Sequence, residues 1–281
     1  MMIGRIIKLV SNQYTVLLED KRQVKALAMG KVRLDKAPIA GDFVAIEELE
    51  EHWVIQEIQP RFNELSRPSI ANVDQALIMM STTAPKFAPG LVDRMIFLVS
   101  LENIKPILFV TKMDLVSKND PVHDLIADYK DAGYNVVEFG KDRDVPDLTY
   151  LFKDKVSVLT GNSGVGKSTL LNRIDPTLQI RTQETSIALG RGKHTTTHTQ
   201  LHEIYGGLIA DTPGFSTLDF SQVEPLDLAL SIPDFQIDKP CRFRNCIHQN
   251  EPGCAIKEAV KQNRVSSIRY QNYLEVLESI E

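Results

Sequence analysis

Short runs of alternating apolar and polar residues fill the first 63 positions. Gly4–Val10, Gln13–Glu19, Gln23–Ala28, Asp42–Glu48 and Trp53–Ile58 each read as a β-strand, divided by polar or Gly/Pro turns such as Pro38–Asp42. Five short strands predict a small barrel over residues 1–63. An OB-type β-barrel fits the count and size, and an SH3-like barrel satisfies the same periodicity. Arg61–Asn72 then breaks the alternation with Pro68 and polar residues, the composition of a linker. From Val73 the rhythm changes. Apolar runs at 74–81, 106–110, 134–139 and 155–160 alternate with helix-patterned stretches at 91–104 and 123–133, and another helix follows from Lys167. Continuous apolar strands separated by helices predict a parallel sheet covered on both faces, the α/β class, over residues 64–222. Two further strands, Gln200–Tyr205 and Gly207–Ala210, precede Asp211. Residues 223–281 form a third piece, in which a Pro-punctuated stretch with all the cysteines leads into a helical segment, Glu258–Leu277. Its apolar positions, Ala259, Val260, Val265, Ile268, Tyr273, Leu274 and Leu277, are expected to pack on the body.

Composition narrows the class. The chain has 281 residues, 43% hydrophobic and 25% charged, with 15 Gly and 14 Pro, which excludes a fibrous or disordered protein. No apolar run approaches the roughly 18 residues needed to cross a bilayer, and the opening MMIGRIIKLV gives way to Ser11, Asn12 and Gln13 without a cleavage-like segment. A cytoplasmic location, a monomeric state and no membrane partner are expected. A net charge of −5 confines any nucleic-acid contact to local basic patches. The three cysteines all lie between positions 241 and 254, a clustering that favours a metal over a disulfide framework.

The strongest chemical signal is Gly161-Asn162-Ser163-Gly164-Val165-Gly166-Lys167-Ser168, followed by Thr169. It matches G-x-x-x-x-G-K-[ST] and sits where that motif must, after the strand Lys155–Leu159 and before the helix Ser168–Ile174. The glycines let main-chain N–H groups turn inward around phosphate oxygens, Lys167 supplies a point charge and Ser168 offers a hydroxyl to Mg²⁺. Asp211-Thr-Pro-Gly214 closes the strand Leu208–Ala210, where Asp211 would hold Mg²⁺ and the Gly214 amide would sense the γ-phosphate. Between them lies Gly190-Arg-Gly-Lys-His-Thr-Thr-Thr197, a loop in which one of Thr195, Thr196 and Thr197, with Thr196 the candidate, would complete the Mg²⁺ shell. A solvated basic loop is the plainer alternative.

Thr111-Lys112-Met113-Asp114 follows the strand Ile107–Val110 and fits [N/T]-K-x-D. A carboxylate there can accept the N1–H and N2 hydrogens of guanine, whereas adenine has no N1–H and would set a lone pair against it. That selects GTP over ATP. In ordinary small GTPases the phosphate loop comes first and the guanine motif last, but here residues 111–114 precede 161–168. The order predicts a circularly permuted GTPase domain, tolerable because domain termini often lie close together. Cys241-x₄-Cys246-x-His248-x₅-Cys254 supplies a Cys₃His set, sufficient for one closed, structural tetrahedral Zn²⁺.

With this motif order, the Gly190–Thr197 loop, D-T-P-G, the barrel in front and the cysteines behind, the whole chain resembles the RsgA (YjeQ/YloQ) family of ribosome small-subunit-dependent GTPases. The resemblance implies an OB domain, a circularly permuted GTPase domain and a zinc domain. It also implies GTP hydrolysis to GDP and phosphate, stimulated by the small ribosomal subunit and its rRNA during late maturation. Two departures stand out: Thr111 replaces the commoner asparagine, and Val136–Gly140 lacks the signature of a second guanine-contacting loop. Phe215 stands where Ras-like enzymes carry a water-orienting glutamine, so intrinsic turnover should be slow. His194 is the candidate catalytic group for positioning water once a partner orders its loop, with an rRNA-facing role as the alternative. Arg191, Lys193, Arg242, Phe243 and Arg244 are candidate RNA contacts. An RNA-binding module with incidental hydrolysis is the competing class, and a P-loop ATPase leaves Thr111–Asp114 unexplained.

Overall fold

The computed structural model describes residues 1–10, 12–28, 30, 36–50, 52–66, 68–141, 146–176, 199–210 and 218–280. The chain forms two compact units that interleave along the sequence. One comprises Met1–Gln75, Pro146–Thr160 and Lys167–Phe215, the other Ala76–Val145, Gly161–Gly166 and Ser216–Glu281.

In the first unit, β1 (Met2–Val10), β2 (Gln13–Leu18), β3 (Gln23–Ala28), β4 (Phe43–Leu49) and β5 (His52–Ile58) close a barrel in the order β1-β2-β3-β5-β4. A meander would place β4 beside β3. Instead β5 inserts there, parallel to β3 and antiparallel to β4, and β4 returns to β1. That is the Greek-key order of an OB barrel, which decides between the two barrels the periodicity allowed. Inward positions recur every second residue, as at Tyr14, Val16 and Leu18, and meet Ile6, Ala26, Val44, Ile46 and Ile55 in a closed core. Register shifts between Ile6 and Lys8 and between Ala45 and Ile46 bend the sheet enough to close it.

The expected linker is instead a pinned hairpin, β6 (Glu64–Ser66) against β7 (Ser69–Ala71). Arg61 anchors it, since its Nε and Nη2 donate to the fully buried Asp42 carboxylate at 2.6 and 2.7 Å, and Nη1 lies 2.8 Å from Glu64. Composition alone misread a segment whose polar residues are occupied within the fold.

The second unit takes β8 (Gln75–Ser81) from Ala76 onward, β9 (Lys105–Thr111) and β10 (Asn135–Glu138), adjacent in the order β10-β9-β8 with β9 and β10 parallel. Every residue of β8 is buried, as a strand covered on both faces requires. Helix Pro89–Leu101 starts at a proline, which needs no N–H there, and helix Val122–Asp131 starts where the Val122 N–H donates to Asp120 Oδ1 at 2.9 Å. Helices Pro225–Ser231, Ala255–Lys261 and Ser267–Ile280 complete the unit. The expected single helical segment at 258–277 is thus broken, and one apolar position is reversed: Ile268 is 45% exposed while Arg269 is 1% exposed. A charged side chain is buried only when paired, and Arg269 is enclosed by Asp93, Asp128 and Asp234.

The remainder of the first unit holds β11 (Val156–Gly161) up to Thr160, β12 (Leu201–Ile204) and β13 (Gly207–Ala210), with β11 parallel and β12 antiparallel to β13. Helix Lys167–Ile174 buries Leu170, Leu171 and Ile174. No helix among the described residues is long and apolar enough to cross a membrane.

Candidate functional site

The two sequence motifs of the second unit meet. Thr111 closes β9, and its buried hydroxyl lies 2.7 Å from the Val165 carbonyl oxygen and 3.2 Å from that of Met80. Lys112 adopts a left-handed conformation (φ 61°), turning its ammonium back to donate to the carbonyls of Ala84, Thr83 and Gly164 at 2.6, 3.0 and 3.1 Å. Its own carbonyl accepts from the Thr82 hydroxyl at 2.8 Å. Threonine and lysine therefore hold the turn Gly161–Gly166 against the end of β9. The threonine at position 111 thus supplies a side-chain tie to that turn.

The turn itself depends on glycine. Gly161 has φ 135°, and a Cβ there would lie 2.2 Å from the Met79 carbonyl oxygen; Gly164 and Gly166 also have positive φ. Val165 is buried as the anchor, whereas Asn162, Ser163 and Gly164 are exposed. Lys167, Ser168 and Thr169 open the helix Lys167–Ile174 of the first unit. His194, Thr196, Asp211 and Gly214, with Arg191, Lys193, Thr195, Thr197 and Phe215, lie outside the described residues.

Met113 is buried against Val110, Val122 and Ile126, leaving the half-buried Asp114 carboxylate on the turn's surface. The segment that lacked a guanine-loop signature reaches this turn through its main chain. Phe139 N–H donates to Val110 O at 2.7 Å, Met113 N–H to Phe139 O at 2.9 Å, and Lys141 N–H to Asp114 Oδ1 at 3.0 Å. Every residue but proline carries such an amide, so no side-chain pattern could have revealed the contact.

A second centre lies in the C-terminal part. The ligand atoms of Cys241, Cys246, His248 and Cys254 all fall within 4.8 Å of one another. For bonds of about 2.3 Å to sulfur and about 2.0–2.1 Å to nitrogen, a tetrahedron has S···S edges near 3.8 Å and S···N edges near 3.6 Å. Cys241 Sγ lies 3.9 Å from Cys254 Sγ, and His248 Nδ1 lies 3.6 and 3.4 Å from those two sulfurs. The four residues therefore fit a tetrahedral metal. Ala255 and Lys257 N–H groups point at the Cys241 and Cys254 sulfurs at 3.3 and 3.4 Å, and Tyr270 OH donates to His248 O at 2.6 Å. Such outer contacts orient ligands and favour thiolates. Without a cation, burial pushes the Cys246 thiol up to about 12 and lowers the His248 pKa. A divalent metal reverses the thiol preference. Arg242, Phe243 and Arg244 are exposed on this loop, with the Arg242 guanidinium 5.5 Å from the Phe243 ring centroid.

Comparison with known proteins agrees with this construction. The chain is 43% identical to the small ribosomal subunit biogenesis GTPase RsgA of Bacillus subtilis (strain 168), covering 99% of this chain and 97% of that one. It is 44% identical to small ribosomal subunit biogenesis GTPase RsgA 2 of Oceanobacillus iheyensis, with the same coverage. Among solved structures it resembles YloQ, described as a circularly permuted GTPase (TM-score 0.84, 37% identity, 100% of this chain and 95% of that one). YjeQ from Thermotoga maritima matches at TM-score 0.84 and 31% identity, over 99% and 98% of the two chains. The RsgA GTPase family profile matches residues 58–221, and the chain belongs to that family.

Proposed function

We propose that this protein is a Mg²⁺-dependent GTP hydrolase that binds the small ribosomal subunit, contacts its rRNA and acts in its late maturation. The observation that carries the reading is the tie of Thr111 and Lys112 to Val165 and Gly164, which sets a guanine-selective carboxylate beside a phosphate-binding turn. The names of the relatives support the ribosomal role.

In this reading Asp114 accepts the guanine N1–H and N2 hydrogens, Lys112 and Met113 shape the base pocket, and Thr111 holds the turn. Main-chain N–H groups of Gly161, Asn162, Ser163, Gly164, Val165 and Gly166 surround phosphate oxygens, while Lys167 offsets their charge. Ser168, Thr196 and Asp211 would hold Mg²⁺, which supplies charge neutralisation at the β- and γ-phosphates. Thr169 extends the phosphate contacts and the Gly214 amide faces the γ-phosphate. His194 orients the attacking water when the ribosome orders its loop, a task the phenyl ring of Phe215 cannot perform. Cys241, Cys246, His248 and Cys254 hold one structural Zn²⁺, the metal that prefers this donor set and geometry. Residues 1–63, 64–222 and 223–281 act as OB, permuted GTPase and zinc domains of a cytoplasmic monomer.

The test is the GTP hydrolysis rate with and without purified small subunits, for wild type and His194→Ala. Stimulation by the subunit is expected, smaller in the variant. Equal rates with and without subunits would exclude a ribosome-dependent switch, and equal stimulation of both proteins would remove His194 from catalysis.

A further inference from the structure

The cage around Arg269 takes no part in the nucleotide or metal contacts described above, yet it touches the supports of both. Its three donor edges go to three elements. Nε faces Asp93 of helix Pro89–Leu101 at 3.3 Å, Nη2 faces Asp128 of helix Val122–Asp131 at 3.2 Å, and Nη1 pairs with Asp234. Its faces lie against the rings of Tyr129 and Tyr134, with centroids at 4.4 and 5.1 Å. Only a planar, five-donor cation can serve so many directions at once.

One side of the cage leads to the metal loop. Phe235, next to Asp234, packs edge-on to the His248 ring at 5.4 Å. Tyr270 and Tyr273, on the helix of Arg269, donate to the carbonyls of His248 and Ile247. The other side leads to the base-reading turn. Helix Val122–Asp131 carries Asp128 and Tyr129 toward Arg269, while its Val122 and Ile126 pack on Met113. Tyr134, whose hydroxyl donates to Asp234, directly precedes β10, and three residues beyond that strand the Lys141 N–H holds Asp114.

We propose that Arg269 is a positioning residue that couples the metal module to the guanine-reading turn, so that disturbing the metal loop loosens the nucleotide from its base side. A buried cation shared by three carboxylates cannot lose one partner without re-ordering the others, which gives the coupling a physical carrier. The inference rests on the nucleotide site proposed above.

The experiment measures release of a fluorescent GDP analogue from the full-length, metal-loaded chain. Arg269→Met should release it about tenfold faster, within the usual range of coupling between sites. Arg269→Lys should fall between, Asp128→Asn should give a smaller acceleration, and Arg264→Met, an exposed neighbour whose guanidinium donates to Gln262, should match wild type. Stripping the metal from wild type should accelerate release by a similar factor, and stripping it from Arg269→Met should add nothing further. A purely structural cage predicts a lower melting temperature with unchanged release. That outcome, or independent multiplication of the two effects, overturns the proposal. If Arg269→Met fails to fold, wild-type release from Asp128→Asn overturns it. Failure of wild type to bind the analogue would instead remove the nucleotide site itself.

Discussion

Replacing Asp114 by asparagine turns one specific hydrogen-bond geometry into a change of substrate. In the folded chain Asp114 Oδ1 accepts the Lys141 N–H at 3.0 Å. An asparagine must keep its oxygen on that side, because its NH₂ group cannot face another donor. The amide nitrogen is then turned toward the place where, in the proposed function, the carboxylate accepts the guanine N2 hydrogens. One charge-assisted hydrogen bond is lost, about 1.5–3 kcal/mol, and a donor is left against a donor, costing about 1–3 kcal/mol more. A net loss of about 2.5–6 kcal/mol corresponds to roughly a 10²- to 10⁴-fold weaker affinity for GDP. Xanthine carries a carbonyl at the same ring position, so xanthosine diphosphate should gain what GDP loses. Competition titrations with guanosine, xanthosine and adenosine diphosphates measure both effects. Since Asp114 is half-buried and its Lys141 contact survives, the melting curve should barely move. GDP affinity within threefold of wild type would refute the assignment of the base-reading turn.

Gly161→Ala places a Cβ 2.2 Å from a main-chain oxygen at φ 135°, so thermal melts should show a loss of about 2 kcal/mol or more, whereas Gly166→Ala, with open space around it, should lose less. Asp42→Ala leaves Arg61, with a side chain only 6% exposed, short of its main partner, and urea unfolding should report about 3–5 kcal/mol of destabilisation. Burial alone would raise the Glu64 pKa, but the Lys36 ammonium and Arg61 guanidinium hold it below the ordinary value. Its pairs therefore contribute stability above the unfolded-state pKa of about 4.3 and lose it as pH falls through the lower folded value. Acid titrations of wild type and Glu64→Gln should accordingly differ at neutral pH and converge on acidification.

The strands were legible because their signal is local. Alternation over a few residues located β1 to β5 to within two residues, and the phosphate turn, the guanine turn and the metal ligands are each contiguous patterns. What stayed hidden depends on partners far apart in the chain. The Greek-key closure needs β5 beside β3, which no periodicity encodes. Arg61 looks like a linker residue until Asp42, across the barrel closure, is seen to enclose it. Arg269 interrupts an apolar stripe, and only the convergence of Asp93, Asp128 and Asp234 makes its burial favourable while Ile268 is turned outward. The Lys141 contact to Asp114 uses a main-chain amide and has no sequence signature at all.

The permuted order of the motifs follows the same logic. Thr111 and Val165 are 54 residues apart, and Lys112 and Gly164 are 52 apart, with the guanine turn preceding the phosphate turn. Closing a loop costs only about 0.6 kcal/mol more for each doubling of its length, less than the roughly 1 kcal/mol contributed by a single well-made hydrogen bond. Two such bonds join the two turns, so their meeting does not depend on which turn the chain visits first. What the order does change is covalent attachment. The chain that leaves the Asp211–Gly214 motif continues directly into Ser216 and the segment carrying Asp234, the metal ligands and Arg269. Permutation thus leaves the contacts between the two turns unchanged and alters only which segment follows each motif along the chain.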